Sequence, residues 1–210
     1  GARREPIDPV RFVSNRSSGK MGVALAREAF RRGADVTLIF GVGAKVRVPT
    51  PIKCVVVNTA LEMREAVNEH VHTSESHKPD VVIMAAAVAD YRPSSVRDQK
   101  IKKSGKVPQI GLTKNPDILQ ELGVERGEER RPVLVGFSVE TGEIDELLQD
   151  ARSKLNDKKV DLIVGNFASD AFDLDTNRVW LVDRSGRQEE VALSYKSRVA
   201  NRVLDAILRL

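Results

Sequence analysis

Short apolar segments alternating with amphipathic stretches predict an α/β protein: a doubly wound, mostly parallel, Rossmann-like sheet flanked by helices, with a C-terminal β-hairpin and helix. Two observations carry that reading. Residues 81–86 are apolar without alternation, the pattern of a strand covered on both faces. Residues 19–32 place Met21, Ala24, Leu25, Ala29 and Phe30 at helical spacing and end on Arg31 and Arg32 ahead of Gly33, a fitting helix C-terminus.

Taken in order, residues 36–40 read as a buried strand and the turn-rich 41–51 leads to a second strand at 54–58. Thr59, with Glu62 three residues on, forms a capping box for a helix that turns Met63, Ala66 and Val67 inward. Cys54 opens an apolar run and is expected to be a buried strand residue, not a catalytic thiol. A Lys-, Pro- and Gly-containing loop spans 91–109, and 115–119 look like a helix start. A strand at 133–137, a helix at 145–157 and a strand at 161–165 follow. The tail changes pattern: 178–183 and 189–193 flank Arg184-Ser185-Gly186-Arg187 as a hairpin, and 195–210 close the chain as a helix. Residues 1–210 fit one domain. Because Gly1-Ala2-Arg3-Arg4 begins as though leaving a strand, a first strand is expected to be missing ahead of it.

The 41% hydrophobic and 30% charged composition is that of a soluble globular protein, and no apolar run reaches the roughly 20 residues that cross a bilayer. A single cysteine excludes an internal disulfide and fits a reducing, cytoplasmic setting. The net charge of +4 is a near balance of 34 basic and 30 acidic residues, and aromatics make up only 4%, so neither a nucleic-acid nor a membrane partner is expected.

Three stretches can carry chemistry. Residues 14–22, Ser-Asn-Arg-Ser-Ser-Gly-Lys-Met-Gly, set small polar residues and glycines just ahead of a helix, where free amides bind anions; an ordinary polar capping loop reads the same way. The stretch lacks the Walker A pattern, having Ser14 and Met21 where Gly and Ser/Thr belong, and lacks the three-glycine dinucleotide fingerprint. Residues 85–93 leave a strand on small side chains that admit a flat ligand, with Asp90 either a ribose acceptor or a solvated carboxylate. Lys100, Lys102 and Lys103 form a mobile cationic run that suits a triphosphate and also suits a plain exposed loop. Lys154, Lys158 and Lys159 admit the same two readings. His70, His72 and His77 lie in a polar segment and do not make a closed zinc site.

In order, Arg4-Glu5-Pro6-Ile7-Asp8-Pro9-Val10-Arg11, the 14–22 loop, residues 85–92, Lys100-Ile101-Lys102-Lys103, Asn115-Pro116-Asp117-Ile118 and Val135-Gly136-Phe137 resemble the phosphopantothenoylcysteine synthetase family over nearly the whole chain. The resemblance implies a homodimer, often fused to a flavin-dependent decarboxylase that carries FMN, and ligation of 4'-phosphopantothenate to L-cysteine with CTP and magnesium. Asn15 is then the residue handling an acyl-cytidylate and Lys100 the one assisting nucleotide activation. Ser18, Gly19, Met84, Ala85, Ala86, Asp90, Pro116, Asp117, Ile118, Leu119, Phe137, Lys154 and Lys158 match nucleotide-binding positions, and Arg11 an anionic-substrate position; the metal ligands are left unassigned. The lysine-bearing segment 91–109 is expected to act as a flexible flap. The chain departs from the family at Arg3, where threonine is usual, and in a shortened 166–172 loop. Spacing itself leaves CTP and ATP open. By fold alone a nicotinamide or flavin oxidoreductase is the alternative, and a non-catalytic dimerisation module the plainest one.

Overall fold

The computed structural model describes residues 3–44, 46–72, 78–102, 107–171 and 174–210. The chain opens on a small antiparallel pair, β1 (Glu5–Pro6) and β2 (Phe12–Val13), and reaches α1 (Lys20–Arg31) through the polar loop. Helix α1 begins at Gly19 with φ 77° and ends ahead of Gly33 with φ 87°, a left-handed turn that an L side chain resists. Val23, Leu25 and Ala26 are its buried positions, with Met21, Ala24 and Ala29 partly covered; Phe30, expected inside, is 40% exposed.

Strands β3 (Thr37–Gly41) and β4 (Lys53–Val57) pair in parallel, and α2 (Ala60–Val71) follows. The Thr59 hydroxyl accepts from Glu62 N at 3.1 Å, while the Glu62 carboxylate accepts from Asn58 N at 2.8 Å, so the reciprocal bond of the expected box falls one residue early. Met63, Ala66 and Val67 are buried as expected. Cys54 corrects the sequence reading, because it is exposed. Among the described residues β4 pairs with β3 alone, and its Cys54/Val56 face lies open, with Val56 56% exposed against 4% for Val57.

The main sheet has five strands in the order β11-β10-β9-β8-β5. β5 (Val81–Met84), β8 (Val133–Glu140) and β9 (Leu162–Phe167) run parallel, whereas β10 (Thr176–Asp183) and β11 (Gln188–Tyr195) add the C-terminal hairpin antiparallel to β9. The remaining elements are β6 (Tyr91–Pro93), β7 (Leu112–Lys114), α3 (Ile118–Arg126), α4 (Ile144–Asp157), α5 (Ala168–Ala171) and α6 (Lys196–Ile207). Helices cover both faces. On one, α1 and α6 pack Leu25, Val199, Ala200 and Val203 against Val135, Leu162 and Val164; on the other, α2, α3 and α4 pack Met63, Leu122 and Ala151 against Leu134 and Ile163. The predicted α/β architecture is therefore the observed one.

Burial is uneven across the sheet. Leu134, Val135 and Val164 are fully buried, yet all four positions of β5 are only half-buried, short of the two-sided cover its sequence suggests. The reason is topological: β5 bonds only β8 and β3 bonds only β4, and no strand among the described residues pairs their second edges. A buried polar hub ties the other side. Asp161 accepts from Leu134 N at 2.7 Å and from the Arg126 guanidinium, which also donates to the carbonyls of Pro132 at 3.0 Å and Lys159 at 2.7 Å.

Candidate active site

The N-terminal segment is anchored before it reaches the polar loop. Glu5 is buried and its Oε1 accepts from Ala60 N at 2.8 Å, while Arg4 N donates to Asn58 O at 2.9 Å, so β1 lies against the end of β4 and the start of α2. Arg3 is 2% exposed and stands beside the Met63 sulfur; among the described residues its Nε and Nη2 find no acceptor. Burial pushes its guanidinium down to about 10, against a smaller opposing pull from Glu5.

Asp8 folds the turn between β1 and β2. Its Oδ1 accepts from the amides of Val10 and Arg11, each at 2.8 Å, and its Oδ2 from Arg11 Nη1 at 2.8 Å. Beyond β2, Asn15 is exposed and its Nδ2 donates to Val88 O at 3.1 Å, which brings the polar loop to the exit of β5. Ser18 and Gly19 are half-buried at the entrance to α1; Gly19 has no side chain to cap the helix, and Ser18 Oγ accepts from Lys20 N at 3.4 Å. Free amides there suit an anion. Lys20 points elsewhere, to Asp175 Oδ1 at 2.7 Å.

Met84, Ala85 and Ala86 are half-buried at the end of β5, and Asp90 is exposed. Asn115 holds this exit to the next block: its amide N–H donates to Asp90 O and its Nδ2 to Ala89 O, both at 2.8 Å, and its Oδ1 accepts from Arg92 at 3.1 Å. Because Asn115 is spent on that loop, α3 starts three residues later, capped by Asp117, whose carboxylate accepts from Gln120 N at 3.1 Å. Pro116 and Asp117 precede the helix, but Ile118 and Leu119 are buried at its start, their side chains part of the core. Of the predicted nucleotide positions, these two can meet a ligand only through their backbone.

Phe137 and Lys154 fall on opposite faces of the sheet. Phe137 packs on the α1–α6 side, whereas Lys154 donates to Ser138 Oγ at 2.7 Å and pairs with Asp150 at 2.6 Å on the α4 side. Burial works to raise the Asp150 carboxyl, but bonds from Lys154 and Ser138 outweigh it and hold it below the usual carboxylate range. Lys158 pairs with Asp117 at 2.7 Å. Both lysines thus have carboxylate partners that an incoming phosphate would have to displace.

The lysine-bearing segment is not a free loop at its base. β6 and β7 pair antiparallel, and Ser94 N donates to Gly111 O at 2.9 Å. Farther along, Arg97 N donates to Ile7 O at 2.9 Å and Ile101 N to Asp8 Oδ2 at 3.1 Å, with Arg11 Nη1 3.3 Å from Ile101 O. Lys100 and Lys102 are exposed on either side of that contact; Lys103 lies outside the described residues. Residues 97–102 line a surface recess of about 530 Å³.

Among the described residues no group of three or more His, Cys, Asp or Glu is placed to hold a metal ion, and no helix is long and apolar enough to cross a membrane. His70 Nδ1 lies 2.7 Å from Ala66 O and His72 Nε2 lies 3.3 Å from Glu125, while His77 is outside the described residues. Sequence reasoning missed Asp8 and Asn115. Both were visible only as members of longer motifs, since their partners at Ile101 and Ala89 lie 93 and 26 residues away.

The chain is 43% identical over 99% of its length to the coenzyme A biosynthesis bifunctional protein CoaBC of Mycobacterium bovis, half of which it covers. It thus spans about half the length of that curated relative. A crystal structure of the C-terminal domain of a coenzyme A biosynthesis bifunctional protein CoaBC superposes with a TM-score of 0.79 at 37% identity, over 99% of this chain and 90% of that one. The Cab2 H337A mutant in complex with phosphopantothenate-cysteine shares the fold, with a TM-score of 0.65 at 17% identity, over 98% of this chain and 83% of that one. The model of the DNA/pantothenate metabolism flavoprotein C-terminal domain matches residues 1–210, and the chain belongs to that family.

Proposed function

We propose that this chain joins 4'-phosphopantothenate to L-cysteine in coenzyme A biosynthesis, with CTP activating the carboxylate. One geometric observation carries the reading: Asn15 bonds the strand exit at Val88, two residues before Asp90, while Asp8 and Arg11 of the same N-terminal segment bond Ile101 beside Lys100. The N-terminal segment thus bonds both of the other blocks, the β5 exit and the lysine-bearing segment. The names of the relatives support the pathway.

In this reading a carboxylate oxygen of 4'-phosphopantothenate attacks the α-phosphorus of CTP. The bond to the bridging oxygen breaks, pyrophosphate leaves and an acyl-cytidylate remains. The cysteine amine then attacks the acyl carbon, CMP departs with the electron pair of the C–O bond, and the amine proton passes to solvent. The amides at Ser18 and Gly19 receive phosphate, Asp90 accepts from the ribose, and Lys100 balances charge moving onto pyrophosphate. Asn15 exchanges the Val88 carbonyl for the developing oxyanion, and Arg11 meets the anionic substrate. Magnesium belongs to the same proposal as part of the nucleotide co-substrate, where it would neutralise phosphate charge. The homodimeric, cytoplasmic setting and a fused decarboxylase carrying FMN belong to the same proposal and rest on the family resemblance.

The test supplies the intact protein with 4'-phosphopantothenate, cysteine, magnesium and either CTP or ATP. Pyrophosphate and CMP are expected with CTP; release of neither product with either nucleotide refutes the assignment. Asn15→Ala is expected to lower turnover by about 10²–10³ and to accumulate acyl-nucleotide detectable by mass. Normal turnover by that variant removes Asn15 from the chemistry.

A further inference from the structure

The carboxylate of Asp8 is closed to solvent and joins two parts of the candidate site. It accepts four donors: Val10 N and Arg11 N on Oδ1, and Arg11 Nη1 and Ile101 N on Oδ2. The first three come from its own turn. The fourth comes from 93 residues away, in the segment that carries Lys100 and Lys102. Arg11 Nη1 reaches Ile101 O at 3.3 Å, so the Asp8–Arg11 pair engages both the N–H and the C=O of one residue. Arg97 N on Ile7 O is a second stitch between the same two segments.

An exposed lysine has many rotamers, and fixing its backbone removes part of the disorder that binding must otherwise overcome. Among the described residues no further hydrogen bond holds 100–102, and no carboxylate there stands within ion-pair distance of Lys100 or Lys102. We propose that Asp8 is a positioning residue: with Arg11 it clips Ile101 to the β1–β2 turn and thereby sets where Lys100 and Lys102 stand toward the nucleotide phosphates. This rests on the function proposed above. It also assigns Arg11 a second task beside meeting substrate.

The protonation state agrees with the geometry. Burial alone would raise the Asp8 carboxyl, but the amides of Ile101, Val10 and Arg11 and the Arg11 charge outweigh it and hold it below the usual carboxylate range.

Asp8→Asn separates the clip from the turn. The amide oxygen can keep the Oδ1 place and accept from Val10 and Arg11, while its NH2 then faces the Ile101 N–H and the Arg11 guanidinium, two donors it cannot serve. Ile101→Pro removes the same bond from the other side without touching the turn. In the intact protein, hydrogen–deuterium exchange of a peptide covering 97–102 is expected to quicken at least about tenfold in Asp8→Asn. The KM for CTP is expected to rise about five- to twentyfold in both variants, with the KM for cysteine unchanged. Unchanged exchange in Asp8→Asn shows that the clip does not hold the segment and overturns the proposal. Faster exchange with unaltered CTP kinetics in both variants overturns the positioning role. If Asp8→Asn fails to fold, Ile101→Pro decides by its CTP kinetics alone. If the parent protein turns over neither CTP nor ATP, the proposed function and the positioning role fall together, and the exchange result still reports whether Asp8 holds the segment.

Discussion

The C-terminal half of the main sheet and the loops around Asn15, Asp90 and Ile101 are held by different forces. Strands β8, β9 and β10 bury Leu134, Val135, Val164, Val179 and Val182 completely, and two helical layers close over them. The loops bury little and are joined by a few polar bonds, from side chains to the backbone at Val88, Ala89 and Ile101 and between backbones at Asp90 and Ile7. Apolar burial is non-directional and scales with area, whereas a polar bond fixes one atom against another. The protein thus keeps a rigid base and spends its directional contacts where a ligand has to be aimed.

The comparison breaks most visibly at Asp161, the polar hub inside the apolar half. Asp161→Ala leaves the Arg126 charge buried without its carboxylate, and a loss of about 3–5 kcal/mol is expected, read as an earlier urea midpoint. A loss under about 1 kcal/mol, typical of an exposed ion pair, shows that the hub contributes no more than a surface pair.

How much of this was legible in the sequence follows the same division. Residues 19–32, 133–137 and 178–193 announce their elements because apolar spacing is a local property, and the helix start at Thr59 is local too. The exposed face of Cys54 is not local: it depends on β4 pairing, among the described residues, with β3 alone, which a run of valines cannot reveal. The three-residue strands β6 and β7 are too short to show a period. The motifs of the candidate site were recognisable as blocks, yet the bonds between the blocks were not, since Asn15 to Val88 and Asp8 to Ile101 follow no sequence rule. Ile118 and Leu119 sit in a motif read as binding, and their place at the start of α3 turns their side chains into the core, which the motif alone does not reveal.

A smaller effect of opposite sign is expected at Arg3, where the loop region intrudes on the core. Replacing a buried guanidinium that has two unpaired nitrogens with an apolar chain of similar length, Arg3→Met, is expected to stabilise by about 1 kcal/mol, raising Tm by about 2–4 °C. A fall in Tm reveals a partner for Arg3 that the described residues do not supply. The smallest effect belongs to Cys54. Native protein is expected to react with a thiol reagent at the rate of an open cysteine, and Cys54→Ser to shift stability by less than about 0.5 kcal/mol; slow labelling requires that face of β4 to be covered.

The half-covered β5 has a consequence for handling the protein. Its outer N–H and C=O groups and those of β3 have no ladder partner among the described residues, and Val81, Val82, Ile83 and Met84 are all partly open to water. A bare apolar margin accepts whatever extended backbone reaches it first, a neighbouring copy included. In concentrated preparations of these 210 residues alone, turbidity is expected to grow with protein concentration, and a lysine at Val82 is expected to slow it.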